Sequence, residues 1–331
     1  MKRSGRRSRK KLSLGSFVAV LAVALLLLWA ENQGLLAGPP ADQRQTQDVI
    51  GFSPAEQPEG LEVYFLDVGQ GDSALLRLPN GTSVFHILID TGEYAYADGL
   101  TDGLRALGVE KIDALICSHP HTDHMGCMAR IVQRFEIGSF YMPRLPDDRV
   151  PTTSAYEALL NALEKKVITA IPLEQGVEIP CPPEASLQVS APRPQAEWED
   201  LNNYSGVLRL TYGETSFLFT GDAEKESEAL ILQDGYELHA DVLKCGHHGS
   251  RTSTSAKFLK AVEPRYAVIS CGKDNSYGHP HDGVLEKLQK LGTTVYRTDE
   301  DHTVLAKSDG SRITFETGLP SIAANETEKR K

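Results

Sequence analysis

Ser118-His119-Pro120-His121-Thr122-Asp123-His124-Met125-Gly126 sets three imidazoles and a carboxylate within six residues, directly after an apolar run. Core packing does not call for such a density of metal-ligating side chains, because groups of this kind are normally scattered over an exposed surface. Leu115, Ile116 and Cys117 read as the end of a buried strand. Pro120 keeps His119 out of the right-handed helical region. His119 and His121, two residues apart on extended chain, then point to the same side and can share one metal. Thr122 is expected as the N-cap of a helix that carries Asp123, His124, Met125, Met128, Ile131 and Val132 at helical spacing. That turn aims Asp123 and His124 at a second metal. The competing interpretation is a polar loop whose histidines only cap and hydrogen-bond.

Further along the chain, Asp222 follows the apolar run Ser216 to Phe219 and the permissive Gly221, where a carboxylate emerging from a strand end can bridge two cations. Its alternative is an ordinary cap before Ala223 and Glu224. His247 and His248 follow Val242-Leu243-Lys244-Cys245-Gly246. Adjacent residues on extended chain point apart, so only one of the two should bind metal directly.

H-x-H-x-D-H after a strand resembles the signature of the metallo-β-lactamase superfamily, and the likeness runs from about Leu61 to about Glu316. A narrower resemblance is to the extracytoplasmic hydrolase domain of ComEC-type competence proteins. It rests on Phe65-Leu66-Asp67-Val68-Gly69-Gln70-Gly71-Asp72-Ser73, Leu88-Ile89-Asp90-Thr91-Gly92, Leu218-Phe219-Thr220-Gly221-Asp222, Lys244-Cys245-Gly246-His247-His248-Gly249-Ser250 and Tyr277-Gly278-His279-Pro280-His281, in that order. The resemblance implies an α/β fold, a four-layer αββα sandwich, and two divalent metal ions. It implies that His119, His121 and shared Asp222 hold the first ion. The second would take Asp123, His124, Asp222 and His247, with His248 as the alternative to His247. Asp90 would orient the site without binding metal, and Asp72 would be either a turn residue or a partner of a ligand imidazole. In one respect the chain departs from the superfamily pattern: no histidine lies between His124 and His239, where a third ligand of the first ion is expected. Asn203, within Asn202-Asn203-Tyr204-Ser205, or a water would complete that shell. More oxygen and less nitrogen shifts preference from zinc toward manganese or magnesium.

At 331 residues, 40% of them hydrophobic and 24% charged, the chain can bury one substantial core with short appendages. Residues 1–11 carry Lys2, Arg3, Arg6, Arg7, Arg9, Lys10 and Lys11 and no acid, and residues 12–30 are largely apolar. This pattern is expected to be a basic cytoplasmic tail and an uncleaved signal anchor, leaving the rest outside the cytoplasm, or secreted if the segment is cleaved. Residues 31–59 read as a linker, 60–317 as the catalytic domain and 318–331 as an unpacked tail. Early strands in a meander followed by alternating strands and helices suit two sheets packed face to face with helices outside. The five cysteines show no C-x-x-C pair, which argues against a thiolate metal site.

The expected chemistry is two-metal hydrolysis of a phosphodiester, with Asp123 in the catalytic centre and His279 donating a proton or hydrogen bond to a phosphate oxygen. The alternative for His279 is a turn residue capping the helix from Asp282 to Leu291. The resemblance implies single-stranded DNA as substrate. The formal net charge of −11 becomes about −18 without the seven positive charges of the first eleven residues, and such a surface disfavours DNA binding by counterion release. Lys244, Arg251, Lys257, Lys260 and Arg265 form only a modest basic stretch. Small or lipid-linked phosphodiesters, as in phosphorylcholine esterases, are therefore the enzymatic alternative, and a non-catalytic metal-stabilised binding module is the third. Beyond the membrane segment and substrate, the sequence points to no protein partner.

Overall fold

The computed structural model describes residues 57–324. The expected tail 1–11, anchor 12–30 and nearly all of the linker 31–59 lie outside the described residues, as do residues 325–331.

Strands β1 (Leu61–Phe65), β2 (Ala74–Asn80) and β3 (Ser83–Ile89) form an antiparallel meander. Helix α1 (Ala97–Ala106) then carries the chain to β4 (Lys111–Ile116), parallel to β3. Helices α2 (Thr122–Met125) and α3 (Met128–Arg134) lead to β5 (Glu136–Met142), and α4 (Ser154–Lys166) leads to β6 (Ala170–Pro172), again in parallel. The alternation has a simple cause: antiparallel neighbours need only a turn, whereas parallel ones need a crossover long enough to hold a helix.

A second sheet repeats the scheme. Antiparallel β7 (Glu178–Ile179), β8 (Ala185–Ala191), β9 (Val207–Tyr212) and β10 (Thr215–Phe219) come first. Parallel β11 (Val242–Lys244), β12 (Tyr266–Ile269) and β13 (Thr294–Arg297) follow, reached through α5 (Lys225–Asp234), α6 (Ala256–Val262) and α7 (Asp282–Lys290). After the short helix α8 (Thr298–Asp301), β14 (Thr303–Ser308) and β15 (Ile313–Leu319) return to the first sheet, beside β1. The strand orders are β15-β14-β1-β2-β3-β4-β5-β6 and β13-β12-β11-β10-β9-β8-β7.

Side-chain alternation along the strands separates three apolar layers. Leu76, Ile87, Ile89 and Ile116 face Leu208, Leu210, Phe217 and Phe219 between the sheets. Leu75, Leu88 and Leu115 point the other way, onto the helical layer with Leu100, Leu104, Met128 and Leu159. Leu218, Leu243 and Ile269 pack on Phe258, Leu259, Val284 and Leu288 at the far side. The result is the four-layer αββα sandwich. Phe65 and Phe219 stack across the middle layer, 6.0 Å between ring centroids, and such pairs add about 0.5–1.5 kcal/mol beyond their burial.

Two expectations need correction. The helix after His121 is not continuous: its N-cap is His121 instead of Thr122, and it breaks between Met125 and Met128. Gly126 lies so close to the Glu93–Tyr94 segment that a Cβ would meet Tyr94 N at 2.5 Å, and the Cys127 thiol donates to Glu93 O. The loop after β3 is thus wedged against the turn and ends it. The tail expected from residue 318 is packed at its start, because β15 continues to Leu319 and Ile322 is buried, its N–H bonded to Asp67 O.

Candidate metal centre and catalytic cleft

Side chains of the site leave the carboxyl ends of strands from both sheets: Asp90 after β3, His119 to His124 after β4, Asp222 after β10, His247 and His248 after β11. The two sheets are tied together at this edge. Gly206 N–H donates to Ser118 O across them, and within the second sheet Asp222 N–H donates to Ser205 Oγ. Gly221 is required between them, since its φ is +48° and a Cβ would meet the Ser118 side chain at 3.0 Å.

His119 Nε2 and His121 Nδ1 lie 3.0 Å apart, and His119 Nε2 lies 3.9 Å from Asp222 Oδ2. On the other side of Asp222, His124 Nε2 approaches Oδ1 at 3.2 Å. His248 Nε2 lies 3.2 Å from Asp123 Oδ2 and 3.6 Å from Asp222 Oδ2. Asp222 therefore stands between a group of His119 and His121 and a group of Asp123, His124 and His248.

Asp90 and Asp72 grip the outward nitrogens of these rings. Asp90 accepts the Ser118 N–H at 2.7 Å and the Ser118 hydroxyl at 2.6 Å, and lies 2.9 Å from His124 Nδ1. Ser118 Oγ in turn lies 3.1 Å from His119 Nδ1. His248 Nδ1 is held by Ser270 O at 3.0 Å and by Asp72 Oδ1 at 3.3 Å. With Nδ1 of His119, His124 and His248 occupied, their Nε2 atoms are left to face the centre, as a metal needs, whereas His121 turns its Nδ1 toward His119. Asp72, Lys244 and His248 form one buried chain, with Lys244 Nζ 2.7 Å from Asp72 Oδ2. Lys244 is thus removed from the basic stretch that the sequence offered for DNA, because its charge is spent on a buried carboxylate.

The two adjacent histidines do not lie on extended chain. Both occupy the left-handed region, at φ 49° and 53°, a conformation that costs energy for residues with a Cβ and concentrates at functional sites. His247 Nε2 also comes within 3.8 Å of Asp222 Oδ2, but its Nδ1 faces Glu224 and Thr252, and its side chain is partly exposed. Of the two rings, only His248 is buried against Asp123. Of His247, expected as the ligand, and His248, its alternative, the geometry brings His248 into the group of Asp72, His124 and Asp222 and leaves His247 at its margin.

Asn203 is turned away from the centre. Its Oδ1 accepts the N–H groups of Glu224 and Ser227 and so caps α5. The neighbouring Asn202, which the sequence did not single out, lines the cleft, and its buried Oδ1 has no hydrogen-bond partner.

Charge is concentrated here, and the buried groups set one another's protonation. Burial opposes ionisation of Asp222, yet His124 and His248 hold it well below the usual carboxylate range. Burial likewise opposes the charge on His248, but Asp222 and Asp72 raise it to about 10. His124 is raised well above its ordinary value against burial, by Asp222 and Asp90, whereas burial and His124 push His119 well below. Burial disfavours ionised Asp72, and Lys244 overrides it, lowering the carboxyl to about 2. Asp123 is held low against its burial by His124 and His248.

His124 Nε2 and Asp222 Oδ1 are buried without a hydrogen-bond partner although they face each other. Imidazole nitrogens and carboxylate oxygens at this spacing fit a divalent ion, and Asp72, His124, Asp222 and His248 all offer ligand atoms within 4.8 Å of one another. The five cysteines are free, four of them buried in apolar surroundings, and none joins the centre.

The centre opens into a cleft of about 370 Å³ lined by His121, Asp123, Asp222, His247, His248 and His279, among others. His279 is 9% exposed, and its buried Nδ1 has no partner. Burial and the neighbouring His248 and His247 lower it to about 4. It is therefore neutral near pH 7, a hydrogen-bond donor more than a proton reservoir. Asn275 fixes its backbone, accepting the His279 N–H at 3.0 Å and donating to His279 O at 2.6 Å.

The family model described as the metallo-beta-lactamase superfamily matches residues 66–273. The chain is 32% identical to ComE operon protein 3 of Bacillus subtilis over 83% of its own length and 36% of that protein. It is 33% identical to competence protein ComA of Neisseria gonorrhoeae over 85% of its length and 37% of the relative. With recombination protein 2 of Haemophilus influenzae it shares 31% identity over 72% of this chain and 27% of that one. The chain thus spans about a third of the length of these curated relatives.

Proposed function

The chain belongs to the metallo-β-lactamase superfamily, a metal-dependent hydrolase fold, and from that premise we propose that it cleaves phosphodiester bonds of DNA, single strands first. The reading is carried by one observation: His124 Nε2 and Asp222 Oδ1, both buried and with no other polar neighbour to satisfy them, meet 3.2 Å apart at the floor of an open cleft, between two groups of imidazole and carboxylate side chains. The choice of DNA draws on relatives named for competence and recombination.

His119, His121 and Asp222 would hold one divalent ion, and Asp123, His124, His248 and Asp222 a second, manganese or zinc being the candidates and magnesium a third. When bound, such ions lower the pKa of water toward neutral and offset charge that builds on a phosphate oxygen. The protein's own groups supply the rest. Asp90, through Ser118 and directly, keeps the Nε2 atoms of His119 and His124 inward, and Asp72 with Ser270 O does the same for His248. Neutral His279 presents a ring N–H from the cleft wall to a leaving or non-bridging phosphate oxygen.

Single-stranded DNA and bis-p-nitrophenyl phosphate, offered after chelation and reloading with manganese or zinc, test the reading. Divalent-dependent cleavage of both is expected. Hydrolysis of the small ester with DNA spared would favour small or lipid-linked phosphodiesters instead, an alternative that the net charge of −11 supports. Metal binding with no hydrolysis at all would leave only the binding-module reading.

Among the described residues no helix is long and apolar enough to cross a membrane. Residues 1–11 and 12–30 motivate the further proposal of an anchor that leaves the catalytic domain outside the cytoplasm. A reporter fused after Lys331 should then be exported, and a cytoplasmic reporter refutes this topology.

A further inference from the structure

Tyr277 lines the catalytic cleft yet is 65% exposed. Its ring lies nearly parallel to that of His279, 5.6 Å between centroids and 21° between planes. The ring is thus stacked toward the imidazole while most of the residue stays open to solvent. The loop that presents it is fixed. Asn275 Oδ1 accepts the N–H of Tyr277 at 3.2 Å as well as that of His279, and Asn275 Nδ2 donates to Gly272 O at 2.9 Å. A flat apolar surface held in place beside a phosphodiester site loses little conformational freedom when a ligand settles on it.

We propose that Tyr277 is the stacking platform for a nucleobase next to the scissile phosphodiester, which makes single-stranded nucleic acid the substrate class of this cleft. The proposal rests on the phosphodiesterase reading above. Every base has a π-face, so stacking binds without regard to sequence, but a duplex hides those faces against their neighbours. The acidic chain can draw little affinity from counterion release, and Lys244 is already paired with Asp72, so stacking has to supply what cationic contacts do not. A quaternary ammonium headgroup is the other ligand that seeks an aromatic face, but it is recognised by a cage of several. Among the described residues, Tyr277 is the only Phe, Tyr or Trp lining this cleft.

The full-length, metal-loaded chain and its Tyr277→Ala and Tyr277→Phe variants would be assayed on a short single-stranded DNA with one cleavable phosphodiester among phosphorothioates, on the same DNA with the base beside that phosphodiester removed, and on p-nitrophenylphosphorylcholine. Loss of the ring should raise KM for intact DNA about tenfold or more with a smaller change in kcat, the scale of one base–aromatic stack. Tyr277→Phe should keep the parent's values, and the parent on abasic DNA should behave like Tyr277→Ala on intact DNA. The abasic comparison needs no variant, so it stands even if Tyr277→Ala misfolds. An unchanged KM in Tyr277→Ala, indifference of the parent to the missing base, or a defect confined to the choline ester would each overturn this proposal alone. A parent that cleaves no DNA would overturn it together with the choice of DNA as substrate, and hydrolysis of the choline ester alone would then leave the phosphodiesterase reading standing.

Discussion

His247 and His248 follow one another in the chain but meet different surroundings. His248 is buried between Asp72, Ser270 O and Asp123, whereas His247 stands at the cleft wall against Glu224 and Thr252. His248→Ala should therefore reduce the bound divalent ions by one, while His247→Ala keeps the count and lowers only the rate. Elemental analysis of the purified variants decides, and equal stoichiometry in the two would remove the distinction. A second contrast separates His279 from the metal group. It touches no residue of the ligand set by hydrogen bond, so His279→Ala should retain both ions and lose about a hundredfold in turnover, the scale of one preorganised hydrogen-bond donor to developing negative charge, with substrate binding nearly intact. Full activity on every substrate would return His279 to a turn residue. How much of this was legible in the sequence depended on distance along the chain. His119, His121, Asp123 and His124 share one loop, so their spacing already encodes their convergence. Choosing between His247 and His248 required the backbone angles of two left-handed residues, and no residue type announces those.

Helix α5 shows why Asn203 misled at the level of an element. An Asn-rich stretch in place of a missing histidine suggested a metal ligand, but Asn203 caps a helix that begins more than twenty residues later, accepting Glu224 N–H and Ser227 N–H at 3.2 Å each. Glu224, at the N-cap position, supplies no side-chain cap of its own. Capping from a distant segment leaves no local signature. Asn203→Ala should lower stability by about 1–2 kcal/mol, the usual cost of losing an N-cap, while Asn203→Asp, a good cap at the positive end of a helix dipole, should not. Neither variant should change the divalent stoichiometry. Denaturant unfolding with parallel metal analysis reads both, and loss of an ion in Asn203→Ala at unchanged stability would restore the ligand assignment. The same limit explains the interrupted helix after His121: its apolar spacing was read correctly, but its break comes from contact with Glu93 and Tyr94, which only the tertiary fold brings near.

For the whole molecule, apolar alternation fixed the three core layers, and the polar ladder across the first sheet was the part hidden from the sequence. Glu62, Arg77 and His86 occupy paired positions on β1, β2 and β3, with Arg77 bound to Glu62, and the His86 N–H donates to Asp113 Oδ2. His86 is 6% exposed, and burial, reinforced by the positive charge of Arg77, lowers it to about 4. An unfolded histidine binds its proton near pH 6.5. Between these values the unfolded chain holds a proton the folded one refuses, so stability must fall as pH drops from about 6.5 toward 4 and be unaffected by this group above that range. The full effect is roughly 3 kcal/mol, from the difference between the two values at about 1.4 kcal/mol per unit. Other groups titrate in the same window, so the informative quantity is the difference between the parent and His86→Gln, which cannot take the proton. Urea unfolding at about pH 7 and about pH 4.5 should show the variant losing distinctly less stability than the parent on acidification, whatever its stability at the higher pH. Parallel losses in the two proteins would mean that His86 reaches water in the folded state, and that the ladder beneath the helices is open.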